Sequence, residues 1–488
     1  MRYPTRLLAT LLYTCLLGAG PAPAAEPERL YSPAELQADF DQLYRGLRAA
    51  DFDLFGYVSQ RRLEAAFKAA RAELNKPMSA EDARVRFQLF AAQVRMGHTR
   101  VGSAMPRWRE YRKNGGRAFP LNIRIVDGRC FVAENLSGNA GVSPGDEILA
   151  LNGQRISRWL ERTERHVSAE SAYMAHSLME YDFPIYLWLE LGAADSFDLD
   201  IRSAAGKRQV LRLPARTRDE MDRARATQPP ALNLEQPLRE ARMFDAHVAY
   251  LRPGPFYNAE ATTAVEQWDN SGFRAFIDKS FEDFARAGAD RLIIDLRGNP
   301  GGDNLFSDVL VEWIATRPFR FASQFKIKVS EQSTAANAAR IEQDAAAAGP
   351  ISQKFAALYA GARIGDIVDF DIPLTPPRAE GTFKGKVLAL IDRQSYSNAV
   401  AVAATIQDYK FGVVLGEETS DLATTYGAME QFTLKNTGLS VGYPKARIVR
   451  PSGDLRARGV VPDIPIRMPV VQDPSDEVLR KAVEISKR

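Results

Sequence analysis

An α/β fold spread over more than one domain is predicted, and three observations predict it. Through the C-terminal half, short apolar runs of strand length alternate with helix-length segments, the pattern of strands layered with helices. Ahead of them lies a block of closely spaced strand patterns, and ahead of that a helical block. The chain has 488 residues, 45% of them hydrophobic, more than one compact core accommodates, so two or three domains are expected.

Taken in order, Arg2 and Arg6 precede the apolar stretch from Leu7 to Leu17 and the small-x-small sequence Ala22-Pro23-Ala24. Residues 1–24 thus read as a secretory signal peptide, too short to span a membrane, and the protein is expected to be exported to a periplasm or secreted. No stable membrane anchor is expected. Removing that segment deletes two arginines and no acids, taking the formal charge from +3 to +1. A near-neutral balance without basic clusters argues against nucleic acid as a partner. Cys130 is then the one remaining cysteine, so no internal disulfide is available.

Residues 25–114 read as a helical segment. Ser32-Pro33-Ala34-Glu35 is a capping box with proline at the first helical position, followed by Leu36, Phe40, Leu43 and Leu47. Ser79-Ala80-Glu81-Asp82 opens another helix, which leads to Gly97-His98-Thr99. Residues 115–215 turn to strands: Leu121 to Val126, Cys130 to Val132, Glu147 to Leu151, Phe197 to Ile201 and Gln209 to Leu213, with a helical insert around Ala169 to Tyr186. Residues 216–242, charged and broken by Pro229-Pro230, read as a linker. Residues 243–470 carry the alternating pattern, and residues 471–488 end in a helix.

Two stretches in the 243–470 unit carry chemistry. Val387 to Ile391 is a buried-strand run, Asn398 to Tyr409 is Ala/Val-rich and helix-length, and the turn between them presents Ser397. A strand entering a sharp turn into a helix exposes such a hydroxyl and aims the helix's first N–H groups at whatever it attacks. A plain N-cap serine explains the same residues. In Arg291 to Asn304, a buried-strand run is followed by Gly298, Gly301 and Gly302, whose freed amides suit a negatively charged oxygen.

Together these stretches resemble the C-terminal processing (tail-specific) serine peptidases. The family's D-L-R-x-N-P-G-G element is matched by Asp295 to Gly302. Its V-V-G-E-x-T strand end is matched, with one extra residue, by Val413 to Thr419. The resemblance implies a crotonase-like ββα spiral for this unit and a serine peptidase acting through an acyl-enzyme. The family's better-known branch uses a lysine about twenty-five residues after the serine. That count lands on Leu422, and Glu417 to Gly427 contains no lysine. The chain is instead similar to the histidine-base branch, which includes the tricorn core protease and the chlamydial protease-like activity factor. That likeness implies Ser397 as nucleophile and His98, in Gly97-His98-Thr99, as base. The branch's acid precedes a G-V-x-P-D turn, here Gly459 to Asp463, which points to Asp454, with Glu417 and Glu418 as substitutes. The oxyanion hole falls to the N–H of Asn398 with that of Gly301 or Gly302, and Tyr396 flanks the pocket.

Ala140 to Gly153 resembles the core stretch of a PDZ domain, and the start of its first strand, including Leu121 and Asn122, is where that family adds a peptide as a strand. The expected partner is a protein or peptide substrate. No metal or cofactor is implied, because four scattered histidines and one cysteine show no ligand spacing. Two alternatives stay open: an inactive PDZ-bearing scaffold on the same fold, as retinoid-binding relatives illustrate, and crotonase-type chemistry on acyl thioesters.

Overall fold

A computed structural model describes residues 29–227, 239–263, 266–343, 345–471 and 475–488. The expected signal peptide and the Pro229-Pro230 break lie outside these residues.

The centre of the molecule is a six-stranded sheet in the order Glu240–Met243, Val248–Arg252, Arg291–Asp295, Lys386–Ile391, Val413–Gly416 and Ile464–Pro465. Only its first pair is antiparallel; every other neighbour is parallel. Both faces are covered, so successive residues of each strand must all be apolar. Ala249, Leu251, Leu292, Ile294, Val387, Ala389 and Ile391 pack under the helices Ser271–Arg286, Asn304–Glu312 and Asn398–Tyr409. Their alternates Val248, Tyr250, Ile293, Leu388 and Leu390 pack under the C-terminal helix Glu477–Ser486, through Val478, Leu479 and Ala482. Parallel strands require crossovers, and the connections into Arg291–Asp295, Lys386–Ile391 and Val413–Gly416 run through helices, whereas the one into Ile464–Pro465 runs through the Thr425–Thr433 and Ser440–Val449 hairpin.

A second sheet is built on the hairpin Thr425–Thr433 and Ser440–Val449, extended by Gln324–Lys328 and Ile367–Asp369. The N-terminal helices Pro33–Ala50, Gln60–Glu73 and Ala80–Ala91 share one core with this hairpin. Leu36, Phe40, Phe87 and Phe90 pack in the same cluster as Leu434, Val441 and Tyr443. The short strand Arg100–Val101, which begins two residues after His98, pairs with Val441 and Gly442. The helical block therefore does more than lie against the main unit: it contributes a strand to it.

The third sheet comprises Leu121–Val126, Arg129–Asn135, Glu147–Leu151, Ser196–Arg202 and Arg208–Pro214, with Gln154–Arg155 beside it. The insert forms two helices, Ile156–Glu164 and Ala172–Leu191. The second kinks at Asp182, two residues before Pro184, where the ring blocks the regular hydrogen-bond ladder. The stretch expected as linker is partly helical: Thr217 and Glu220 form a reciprocal capping box on Arg218–Ala226.

Candidate active site

Strand Lys386–Ile391 ends in a turn stitched from within. The Oδ1 of Asp392 accepts from the N–H groups of Gln394 and Gly298, each at 3.0 Å, and the Ser395 hydroxyl donates to the Leu296 carbonyl at 2.8 Å. Tyr396 N–H then donates to the carbonyl of Asn299 at 2.9 Å. The serine turn and the glycine loop are thereby one rigid assembly, although about a hundred residues separate them.

Ser397 stands at the head of helix Asn398–Tyr409 with φ 51° and ψ −119°, and its side chain makes no capping hydrogen bond. A positive φ at a non-glycine residue costs on the order of 1–3 kcal/mol and persists only where neighbours enforce it. The enforcing bond is visible: Ser397 N–H donates to Asp421 Oδ2 at 2.6 Å. The cap explanation of this serine therefore fails, because its hydroxyl caps nothing and its backbone is strained toward a carboxylate.

The glycine loop approaches so closely that side chains are excluded. A β-carbon on Gly301 would lie 2.9 Å from that of Ser397 and 2.7 Å from the amide nitrogen of Asn398. The Gly301 N–H is committed to Asn299 Oδ1 at 2.9 Å. Of the expected oxyanion donors, that removes Gly301, since an amide donates one strong bond at a time. The N–H groups of Gly302 and Asn398 have no acceptor within the described residues, and both residues line the cleft. Gly302 sits at φ 140°, and a β-carbon there would fall 2.1 Å from the Phe256 carbonyl oxygen. Gly302→Ala is expected to shift this loop and lower the rate about 100- to 1,000-fold, as loss of an oxyanion donor does. Assay beside a thermal melt separates that loss from unfolding.

His98 lines the same cleft as Ser397, with its ring centroid 5.7 Å from that of Tyr396. It is buried, and Nδ1 has no hydrogen-bond partner. Burial holds the imidazole below its ordinary pKa, and the nearby charge of Asp421 and carbonyl of Tyr426 act against that. His98 is placed by Arg95, whose φ of 58° turns the chain out of the preceding helix, and by the pairing of Arg100–Val101. Asp421 is fully buried. Its carboxylate accepts from the N–H groups of Ser397 and Leu422, at 2.6 and 2.8 Å, while burial raises its pKa above the usual carboxylate range.

The acids expected from the sequence are engaged elsewhere. Asp454 is chelated by its neighbour Arg456, with contacts from 2.6 to 3.0 Å, and held down to about pKa 2 by it. A guanidinium two residues away in a half-open turn captures it before it can reach His98. Glu417 pairs with Arg393 at 2.6 Å and Arg124 at 3.2 Å, and Glu418 with Arg458 at 3.3 Å. Asp421 is one residue before Leu422, in the stretch that contains no lysine, and an acid at that place is the signal the sequence offers.

Tyr396 and Asn122 line the cleft, and Asn122 Nδ2 donates to Glu134 Oε2 at 2.6 Å. The Leu121 side chain does not line it; it is fully buried in the core of the third sheet, because strand alternation turns it inward. Farther along that strand the outer edge is already paired. Ile125 N–H donates to Glu180 Oε1 and its carbonyl accepts from Arg393 Nη1, both at 2.7 Å. Glu180, Arg124 and Arg393 form a buried ionic cluster that ties helix Ala172–Leu191 to the serine turn. Removing one member of such a cluster costs about 3–5 kcal/mol, because it strands the others' charge.

Residues 261–466 match the model of peptidase family S41. Those residues form a peptidase S41 unit. The protein is a serine-type peptidase. Among solved structures, the chain is similar to mature CPAF, at 15% identity over 93% of this chain and 97% of that one, with a TM-score of 0.67. It is similar to mature CPAF complexed with lactacystin, at 14% identity over 93% and 98%, with a TM-score of 0.65. It is also similar to a CPAF s499a mutant, at 14% identity over 93% and 97%, with a TM-score of 0.61. At these identities the likeness is one of fold. A search of curated protein sequences found no match.

Proposed function

We propose that this S41 peptidase is an exported enzyme that cleaves peptide bonds with Ser397 as nucleophile, His98 as base and Asp421 as acid. The single observation that carries the reading is the backbone of Ser397, strained to positive φ with its N–H on Asp421 and its hydroxyl left unbonded. Ser397 Oγ attacks the scissile carbonyl as His98 takes its proton, and His98 then returns that proton to the leaving amine. The tetrahedral oxyanion sits between the N–H groups of Gly302 and Asn398. Asp421 does two things at once: it fixes the serine backbone, and its charge favours the imidazolium that forms. Ser397 and His98 are not hydrogen bonded to one another in the free enzyme, and the base is drawn onto the hydroxyl when substrate closes the site.

The cleft favours a polypeptide over a small molecule. Its cavity volume is 3050 Å³, about three times the upper range of small-ligand pockets, and Asn122, Tyr181, His98 and Ser397 all line it. The PDZ resemblance of Ala140 to Gly153 fits a module that braces the serine turn through Glu180 and Arg393. The test is digestion of unfolded casein by the protein beside Ser397→Ala and His98→Ala. Cleavage lost in both variants supports the reading, and cleavage retained in either refutes it. Export follows from Arg2, Arg6, the apolar stretch and Ala22-Pro23-Ala24. Protein recovered from outside the cytoplasm of an expressing bacterium is expected to begin at Ala25; an intact N-terminus in that fraction would contradict it.

A further inference from the structure

We infer that Glu170 is a positioning residue for the base, a carboxyl group that works in its neutral form and holds the Gly97–His98 loop against the serine turn. The inference rests on the Ser397–His98–Asp421 reading and adds a residue from a different part of the chain.

Glu170 ends the fully buried segment His166 to Glu170, just before Ser171 caps helix Ala172–Leu191. Four bonds join that segment to the base's own surroundings, one of them from Gln88 Nε2 to the Ser168 hydroxyl at 3.3 Å. Glu170 Oε1 accepts the N–H of Gly97, the residue immediately before His98, at 3.1 Å. Its main-chain carbonyl accepts from Arg95 Nη2 at 3.4 Å. Gln88 donates to the His166 carbonyl at 3.0 Å and accepts the N–H of Val101 at 2.8 Å, so the far side of the His98 loop is held by the same segment. Gly97 is as small as it must be. A β-carbon there would lie 2.3 Å from Met174 Cε, and 3.1 Å from both Glu170 Oε2 and Tyr396 Oη.

The other oxygen, Oε2, is buried and has no hydrogen-bond partner. A bare carboxylate oxygen in that position is far more costly than a neutral carboxyl. The groups that face it explain the preference. Asp421 on the serine side repels a second negative charge, Tyr396 and Tyr57 are neutral phenols, and Arg95 reaches only the main-chain carbonyl. Arg100 acts on His98 and Tyr396, and forms no ion pair with Glu170. Burial and Asp421 accordingly push Glu170 up to about 8. The neutral form leaves Asp421 as the one anion beside the base. Above that pH, Glu170 gains a charge that the Gly97 N–H meets but no cation pairs, and its repulsion with Asp421 pushes the Gly97–His98 loop away.

The sign for stability follows. The unfolded chain releases this proton near 4.5, the folded chain near 8, so stability falls with pH between those values and is level above them. Glutamine keeps the oxygen that accepts from Gly97 and removes the titration; alanine removes both.

The experiment measures the rate of fluorophosphonate labelling of Ser397 from pH 5 to 10 in the full protein, Glu170→Gln, Glu170→Ala and His98→Ala, with Tm of each across the same range. The expected wild-type rate falls above pH 8, while Glu170→Gln holds its rate to pH 9.5 or beyond. Glu170→Ala, still folded, is slower by about 10-fold or more at every pH. The Tm advantage of Glu170→Gln over wild type widens from pH 5 to 8 and then stays constant. An alkaline fall that persists unchanged in Glu170→Gln, or a wild-type rate in Glu170→Ala, overturns the inference while leaving the catalytic reading intact. Labelling that His98→Ala leaves unchanged, or no labelling of wild type, overturns the catalytic reading itself and this inference with it.

Discussion

Ser397→Ala and His98→Ala are each expected to lower kcat/KM by about a million-fold, and the double variant to be no worse than either alone. Groups that act as one unit show this non-additivity, because a nucleophile without its base and a base without its nucleophile are equally idle. The residual rate comes from the Gly302 and Asn398 amides, which stay in place. The structural cost of Ser397→Ala should be small, because its hydroxyl makes no hydrogen bond among the described residues, whereas His98→Ala also removes the ring that meets the Tyr426 carbonyl. Steady-state kinetics on a fluorogenic peptide, with a thermal melt of each variant, checks both halves. Losses that multiply in the double variant would mean that the two residues work independently.

Asp421→Asn is the second large effect, an expected loss of about 10,000-fold in kcat, the size of effect seen when a triad's acid becomes an amide. Two mechanisms act together. The amide no longer balances the imidazolium that forms as His98 takes the proton. It also presents an NH2 in place of one of the two oxygens that accept the Ser397 and Leu422 N–H groups, at 2.6 and 2.8 Å, so one of these bonds is lost and the support of the positive φ at Ser397 is weakened. The pH profile separates these. Activity requires neutral His98, and burial lowers its pKa below the ordinary 6.5, so the wild-type acid limb lies below that value. Removing the Asp421 charge, which raises the His98 pKa, moves the limb to still lower pH. A limb that stays in place would show that Asp421 acts on the serine backbone alone.

The central sheet was legible because its strands are covered on both faces. Continuous apolar runs such as Val387 to Ile391 have no other use in a chain with these turn residues, and helix Asn398–Tyr409 begins where its composition changes. The glycine loop beside Ser397 was legible for a related reason: close backbone approach demands glycine, and Gly301 and Gly302 announce it. The acid was not. An aspartate in a turn looks the same whether Arg456 chelates it or a serine amide meets it, and only the folded chain distinguishes Asp454 from Asp421. Which amide faces the oxyanion was equally hidden, since it turns on the Asn299 side chain capturing Gly301. Glu170 carried no signal at all. It reaches Gly97 across 73 residues through the packing of the insert on the serine turn.

If Ser397, activated by His98 and fixed by Asp421, does the chemistry, it is the one residue that a fluorophosphonate modifies. The most direct measurement is mass spectrometry of the fluorophosphonate adduct formed by the folded protein, Asp421→Asn and His98→Ala. The account predicts one adduct, on Ser397, formed rapidly in wild type and at least a thousand-fold more slowly in both variants. An adduct on another residue, or one on Ser397 that forms equally fast without His98, would contradict it.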